Sequence, residues 1–435
     1  MTRTALRVFP VLLLILAAGC AGRGPQSAPQ APDAPAVTLR FVESVPEETV
    51  LGLADMPQAP DVWPQVLGDA KSSIEVASFY FSRKGDGEDA GGPDEVEDRL
   101  LESLSALEAA ATRGIRLRTL ADSKFNKTYP EVPAWLAALP GAEGRILDAA
   151  GHWDGVLHAK YFLVDDRILY IGSQNWDWRA LSQIHELGVL ADHPWLGGQL
   201  KAVFDMDWAL AGVPAPDQAA PADPAAYPKQ KPLADLPTAD LLTADGDTVR
   251  ALLAASPARA LPNGVPWDLP LLVEMIDGAE QSVRLQLLSY DVSGRDRHFF
   301  PDLDNALRGA AARGVQVQII LSNWSKSKYK LPWVKSLAAV RNLDVKFSNI
   351  PEHSQGFIPF ARVEHPKYLT VDGAVSWVGT SNWSRNYFHG SRNVGLILQG
   401  AGGAEPLQRF FDQSWNGPYT ELVDPGADYQ PPRRN

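Results

Sequence analysis

The chain has 435 residues, 45% of them hydrophobic and 21% charged, which suits a packed protein of about two domains and excludes a disordered or fibrous chain. Its formal net charge of −12 argues against coating a polyanion over a broad surface, although it leaves room for one local basic pocket.

At the N-terminus, Arg3 and Arg7 precede an apolar run from Val11 to Ala18 that ends in Leu16-Ala17-Ala18-Gly19-Cys20. A charged start, a short apolar stretch and small residues before a cut predict a secretory signal over residues 1–19. The run is too short to span a bilayer, which takes about 20 apolar residues. Cys20, the only cysteine, stands at the cleavage position, and this resembles the lipobox of bacterial lipoproteins, with Ala17 where leucine is commoner. The resemblance implies a lipid on Cys20 and an exported protein anchored to a membrane of the bacterial cell envelope, the outer one where there are two. Simple secretion with a fortuitous cysteine is the alternative. Either way an exported chain with one cysteine has no internal disulfide, and losing Arg3 and Arg7 takes the charge to −14. Residues 20–36, with Gly22, Gly24, Pro25, Pro29, Pro32 and Pro35, read as a linker.

A first α/β domain is expected over 37–212. Within it Ser73–Tyr80 reads as a short strand after a helix-like segment, and Ala110-Ala111-Thr112-Arg113-Gly114-Ile115 as a helix end closed by glycine. Residues 213–237, rich in proline, alanine and aspartate, read as a second linker. A second domain over 238–424 repeats the first, and residues 425–435 form a tail. Ser282–Tyr290 matches the first strand, and Ala311-Ala312-Arg313-Gly314-Val315 matches the helix end. The span His158 to Trp208 aligns without a gap onto His365 to Trp415. Internal duplication is the simplest reading. It predicts two similar α/β domains, each a mixed sheet flanked by helices, related by a pseudo-two-fold axis that brings equivalent motifs together.

The repeated stretch carries the chemistry. One copy reads His158-Ala159-Lys160-Tyr161-Phe162-Leu163-Val164-Asp165, then Gly172-Ser173-Gln174-Asn175-Trp176; the other reads His365-Pro366-Lys367-Tyr368-Leu369-Thr370-Val371-Asp372, then Gly379-Thr380-Ser381-Asn382-Trp383. A period of two puts each histidine and its lysine on one face of an extended segment. Brought together, two imidazoles supply a nucleophile and a general acid for a phosphodiester, through a phosphohistidine. Lys160 and Lys367 offset charge on the phosphate oxygens, and Asn175, Asn382, Ser173 and Thr380 can donate hydrogen bonds to it. No cofactor is called for, and no separate His/Cys/carboxylate cluster suggests a metal.

These residues resemble the phospholipase D superfamily. A closer resemblance, over most of the mature chain, is to the endolysosomal phospholipase-D-like 5′ exonucleases of animals. It is carried by Val42-Glu43-Ser44-Val45-Pro46, Ala77-Ser78-Phe79-Tyr80, Gly155-Val156-Leu157-His158, Ile171–Arg179, Glu186-Leu187-Gly188-Val189, Ile358–Val363, Gly379–Ser384, Asn386-Tyr387-Phe388 and Trp415–Tyr419. The resemblance implies a hydrolase of single-stranded DNA or RNA working from the 5′ end. The animal proteins are membrane-anchored and disulfide-bonded, which this chain with Cys20 alone does not match. A phospholipase or phosphatidyl transferase of cardiolipin synthase type is the alternative, and a non-catalytic envelope binding module is a third reading that the intact motifs disfavour. A homodimer is open.

The copies differ at Glu186, whose counterpart is Asn393. In the superfamily an acidic residue here orients a histidine, so Glu186 is expected to support His158 as nucleophile, with His365 as acid; the reverse remains open. The resemblance also implies that Asp165 and Asp372 are structural. Tyr80, Trp324, Tyr387 and Phe388 are candidates for stacking on a base, with core packing the plainer reading. His152, His185, His193, His298, His353 and His389 lack a duplicated partner and read as surface or supporting residues.

Overall fold

Alternating apolar runs and amphipathic helices build two sheets on one plan. The computed structural model describes Met1 and residues 38–87, 91–216, 229–293 and 299–435, and Val37–Asn435 form one compact unit. The signal, Cys20 and the first linker lie outside the described residues, as do most of the second linker and His298. Among the described residues the first sheet runs Leu39–Ser44, Glu186–Asp192, Ile168–Gly172, Tyr161–Val164, Ser73–Ser78, Arg116–Asp122 and Ala142–Leu147. The second repeats that order with Thr248–Ser256, Asn393–Gln399, Val375–Gly379, Tyr368–Val371, Ser282–Leu287, Gln316–Ser322 and Leu343–Ser348. It adds Ala239–Leu242 and Thr420–Leu422 at its two edges. In both, the last three strands of the shared order are parallel and the others antiparallel. The fold is thus a duplicated α/β arrangement of mixed sheets flanked by helices.

The helices follow the spacing of their apolar residues. Leu100–Thr112 buries Leu100, Leu104, Leu107 and Ala111, while Asp302–Arg313 buries Leu303, Ala306, Leu307 and Ala310. Each is followed by a glycine in the left-handed region, Gly114 at φ +85° and Gly314 at φ +97°, as the repeated helix ends predicted.

The motif strands are buried on both faces. Tyr161 and Leu163 join a core shared by the two sheets, whereas Phe162 and Val164 join the core on the other side. That shared core combines Leu169, Leu187 and Val189 with Val378, Leu396 and Leu398. Phe204 and Phe410, from the helices Pro194–Leu210 and Ala401–Trp415, belong to it as well. The halves therefore meet through apolar packing, and the motifs are held at its edge. Residues 425–435 also pack: the Phe360 amide donates to the Arg434 carbonyl, and the Arg434 guanidinium lies 4.8 Å from the Trp324 ring centre. Among the described residues no helix is long and apolar enough to cross a membrane.

Candidate active site

The residues before each motif strand are extended and reach across to the other half. The regular strands begin only at Tyr161 and Tyr368, so His158, Lys160, His365 and Lys367 precede them. The Arg392 amide donates to the Val156 carbonyl and the His158 amide to the Arg392 carbonyl, both at 2.9 Å. On the other side the Arg362 amide donates to Gln183 at 2.9 Å, His185 to Val363 at 3.0 Å, and His365 to His185 at 2.8 Å. Each motif histidine is thereby placed beside residue 186 or 393 of the opposite half. Glu186 Oε2 lies 2.7 Å from Nδ1 of His365, and Asn393 Oδ1 lies 3.1 Å from Nδ1 of His158. The expected support of His158 by Glu186 is therefore corrected: the partners are exchanged, because the backbone pairing crosses between halves.

Alternation along the same segments creates a second pair on the reverse face. His185 Nδ1 is 2.7 Å from Glu364 Oε2, so His185-Glu186 and Glu364-His365 form two reciprocal histidine–glutamate pairs. Glu364 also accepts from Gln286 Nε2 at 2.7 Å and Ser348 Oγ at 3.1 Å. Burial opposes a charge on His185, but Glu364 outweighs it and raises the imidazole above its usual value. In the other half Arg392 takes the place of His185 and forms a buried fork with Asp207 at 2.7–3.0 Å. Sequence reading missed both pairs; the only signal was an unpaired charge at matching positions.

The catalytic candidates converge in a dry site. His158, Lys160, Asn175, Glu186, His365, Lys367 and Asn382 are each at most 8% exposed. Burial and the charges of Lys160 and Lys367 hold both imidazoles well below the usual histidine value. Burial brings the Lys367 ammonium down to about 7, with Glu186 pulling the other way, and lowers Lys160 as well. It pushes the Glu186 carboxyl up to about 7 against the pull of the lysines. Each lysine donates to the carbonyl of its own histidine. Two buried lysines and one buried carboxyl thus share the site, and the lysines are the groups able to pair with an anionic phosphodiester.

The hydroxyls are differently engaged than expected. Ser173 Oγ donates to the Leu187 carbonyl at 3.1 Å and accepts from the Leu187 amide at 3.0 Å. Thr380 Oγ1 donates to Asn393 Oδ1 at 2.9 Å and accepts from the Val394 amide at 3.1 Å. A hydroxyl has one proton to give, so these two position the Glu186 and Asn393 strands rather than offer a donor to phosphate. Glycines in the same strands make room for large side chains: a Cβ on Gly188 would lie 2.1 Å from the Tyr170 hydroxyl, and one on Gly395 2.4 Å from Trp377 Nε1. Asn175 and Asn382 keep buried Oδ1 atoms without a partner among the described residues.

Comparison with known proteins now bears on this geometry. The family described as "Cardiolipin synthase, PLD-like domain" matches residues 64–208 and 272–415, one match in each half. The chain is 32% identical over 407 residues to the 5'-3' exonuclease PLD3 of Rattus norvegicus, covering 89% of this chain and 81% of that protein. The chain belongs to the phospholipase D superfamily. It is 31% identical to Phospholipase D Z of Dictyostelium discoideum, covering 88% of this chain and 90% of that one. Its fold resembles the crystal structure of phosphatidylserine synthase from Haemophilus influenzae Rd KW20, with a TM-score of 0.56 at 12% identity, covering 84% and 85% of the two chains. This phospholipase D superfamily member is a phosphodiesterase.

The remaining candidates separate by contact. In the phosphodiesterase both motif aspartates point away from the site and close loops. Asp165, at φ +53°, accepts the amides of Lys71, Ser72 and Ser73; Asp372, at φ +52°, accepts those of Glu280, Gln281 and Ser282. Of the aromatic candidates, Phe388 is core and Trp324 packs with Phe360 at 6.4 Å. Tyr387 lies 4.7 Å from the His158 ring, and Tyr80 donates to Asp177 Oδ2 at 2.8 Å. Among the described residues no group of three or more His, Cys, Asp or Glu side chains is placed to hold a metal.

Proposed function

We propose that this phosphodiesterase works through a phosphohistidine on His365, with His158 as general acid and then general base. The carrying observation is the unequal support of the two rings. Forming the bond from His365 Nε2 to phosphorus leaves positive charge on the imidazole, and the Glu186 carboxylate at 2.7 Å stabilises it. The neutral amide oxygen on His158 does so less, which suits a group that must release a proton. His158 enters this step as an imidazolium beside the anionic phosphate, with one proton on Nδ1 toward Asn393 and one on Nε2; as the P–O bond breaks, its electron pair stays on the leaving oxygen, which takes the Nε2 proton. Water then attacks phosphorus, His158 removes its proton, and the P–N pair returns to His365. Lys160 and Lys367 offset charge on the equatorial oxygens, and Asn175 and Asn382 donate from their amides.

The substrate we propose is single-stranded DNA or RNA, attacked from the 5′ end. Support comes from the long match to a 5'-3' exonuclease. The match of similar extent to a phospholipase D favours a second reading, a phospholipid diester. We further propose export and anchoring through lipid on Cys20. The deciding assay offers the full chain 5′-blocked and unblocked oligonucleotides beside phosphatidylglycerol vesicles, with and without chelator, and His365→Ala as control. Release of mononucleotides from unblocked oligonucleotides, unaffected by chelator, is expected. Turnover of the lipid alone would favour the second reading, and loss of activity in chelator would overturn the metal-free chemistry.

A further inference from the structure

Aromatic rings surround one motif histidine and not the other. Phe79 lies 4.9 Å from the His158 ring and Tyr387 4.7 Å from it, while Lys160 Nζ is 5.0 Å from the Phe79 ring centre. Outward from Phe79, Phe125 follows at 4.2 Å; Tyr80 stacks on Phe125 at 5.4 Å and on Tyr129 at 5.4 Å. Phe79, Tyr80, Phe125 and Tyr387 are only half-buried. The wall is tied to the phosphate position, because the Tyr80 hydroxyl accepts from Asn175 Nδ2 at 3.4 Å.

The duplication shows what a purely structural arrangement would look like. Phe81 pairs with Trp176 as Tyr290 pairs with Trp383, so Phe79 and Tyr80 correspond to Leu288 and Ser289. The gapless alignment sets Tyr387 against Ala180, and the strand ends Asp122 and Ser322 set Phe125 against Ser325. Four aromatic positions on the His158 side are thus aliphatic or small on the His365 side. No ring contact to His365 is formed among the described residues.

We propose that this wall is a binding subsite for the nucleobase on the departing side of the scissile bond, with Phe125 between Phe79 and Tyr80 in the line of rings. Aromatic faces stack on any base, so the subsite holds the leaving nucleoside without reading its sequence, and aims its oxygen at His158. This rests on the proposed nuclease reading and deepens it.

The test uses the full-length protein and its Phe125→Ala variant. Substrates are a single-stranded oligonucleotide and the same strand with an abasic nucleotide on either side of the scissile phosphate. The leaving side is identified as the fragment that carries the new free hydroxyl. In the unaltered protein, removing the leaving-side base should raise KM about 10-fold, and removing the retained-side base much less. In Phe125→Ala the intact strand should already show the raised KM, with little further loss from the leaving-side abasic nucleotide. Equal sensitivity on both sides, or none, overturns the subsite, and this comparison needs no variant. A loss in Phe125→Ala as large on the leaving-side abasic strand as on the intact strand also overturns it. Failure to cleave any oligonucleotide overturns the nuclease reading and the subsite together, whereas cleavage indifferent to the base overturns the subsite alone.

Discussion

Glu186 is the residue on which the two halves part company. Its carboxylate fixes the His365 tautomer by accepting from Nδ1, leaving the lone pair on Nε2, as the proposed nucleophile needs. Burial has pushed that carboxyl up to about 7, so its ionised fraction falls as pH drops through neutrality. With a nitrophenyl ester, which leaves without help from an acid, kcat/KM should therefore fall on the acid side of about pH 7. Glu186→Gln should lower the rate above that pH about 10- to 100-fold and flatten the acid limb. A pH–rate profile of the two proteins checks this, and superimposable profiles would remove the proposed role. His158, Lys160, Asn175, His365, Lys367 and Asn382 could be picked out as one set because the duplication presents them twice at one offset. The hydroxyls of Ser173 and Thr380 were misread, because a sequence shows a donor but not the backbone amide and carbonyl that occupy it.

At the scale of elements, the site depends on two short backbone bridges between halves, at residues 156–158 with 392 and at 183–185 with 363–365. Sequence alignment places Glu186 in the half that contains His158, and nothing in a linear repeat signals that the bridges cross. That is why the motif was readable and its wiring was not. The strand order, by contrast, follows from two copies of the same apolar pattern, each folding into the same sheet. The bridge beside His158 is held by Arg392, whose guanidinium is wholly buried on Asp207 and also donates to the carbonyls of Ser256 and Ala260. Asp207→Ala would leave that charge uncompensated, and should lower stability by about 3–5 kcal/mol in urea unfolding. A change within about 0.5 kcal/mol would show that the fork does not hold the bridge.

At the scale of the whole molecule, the two sheets enclose a common apolar core, and the site at its edge holds two buried lysines inside a chain of net charge −12. A protein that coats nucleic acid with lysine and arginine loses affinity steeply as salt rises. Here like-charge repulsion over the surface is screened by the same ions, so kcat/KM on oligonucleotides should stay flat or rise between about 50 and about 200 mM salt. A steep fall, measured at saturating purity with short and long strands alike, would place the dominant contacts on an extended basic surface instead.

The central claim is that crossed support makes His365 the nucleophile and His158 the acid. A His158→Ala protein mixed with a nitrophenyl phosphodiester should release one equivalent of nitrophenol in a burst, because that leaving group needs no proton. It should then stall for want of a base to activate water. Rapid quenching and mass spectrometry of the digested protein should find the acid-labile phosphoryl group on the peptide containing His365, and His365→Ala should form none. An adduct that persists in His365→Ala and maps to His158 in the unaltered protein would contradict the assignment.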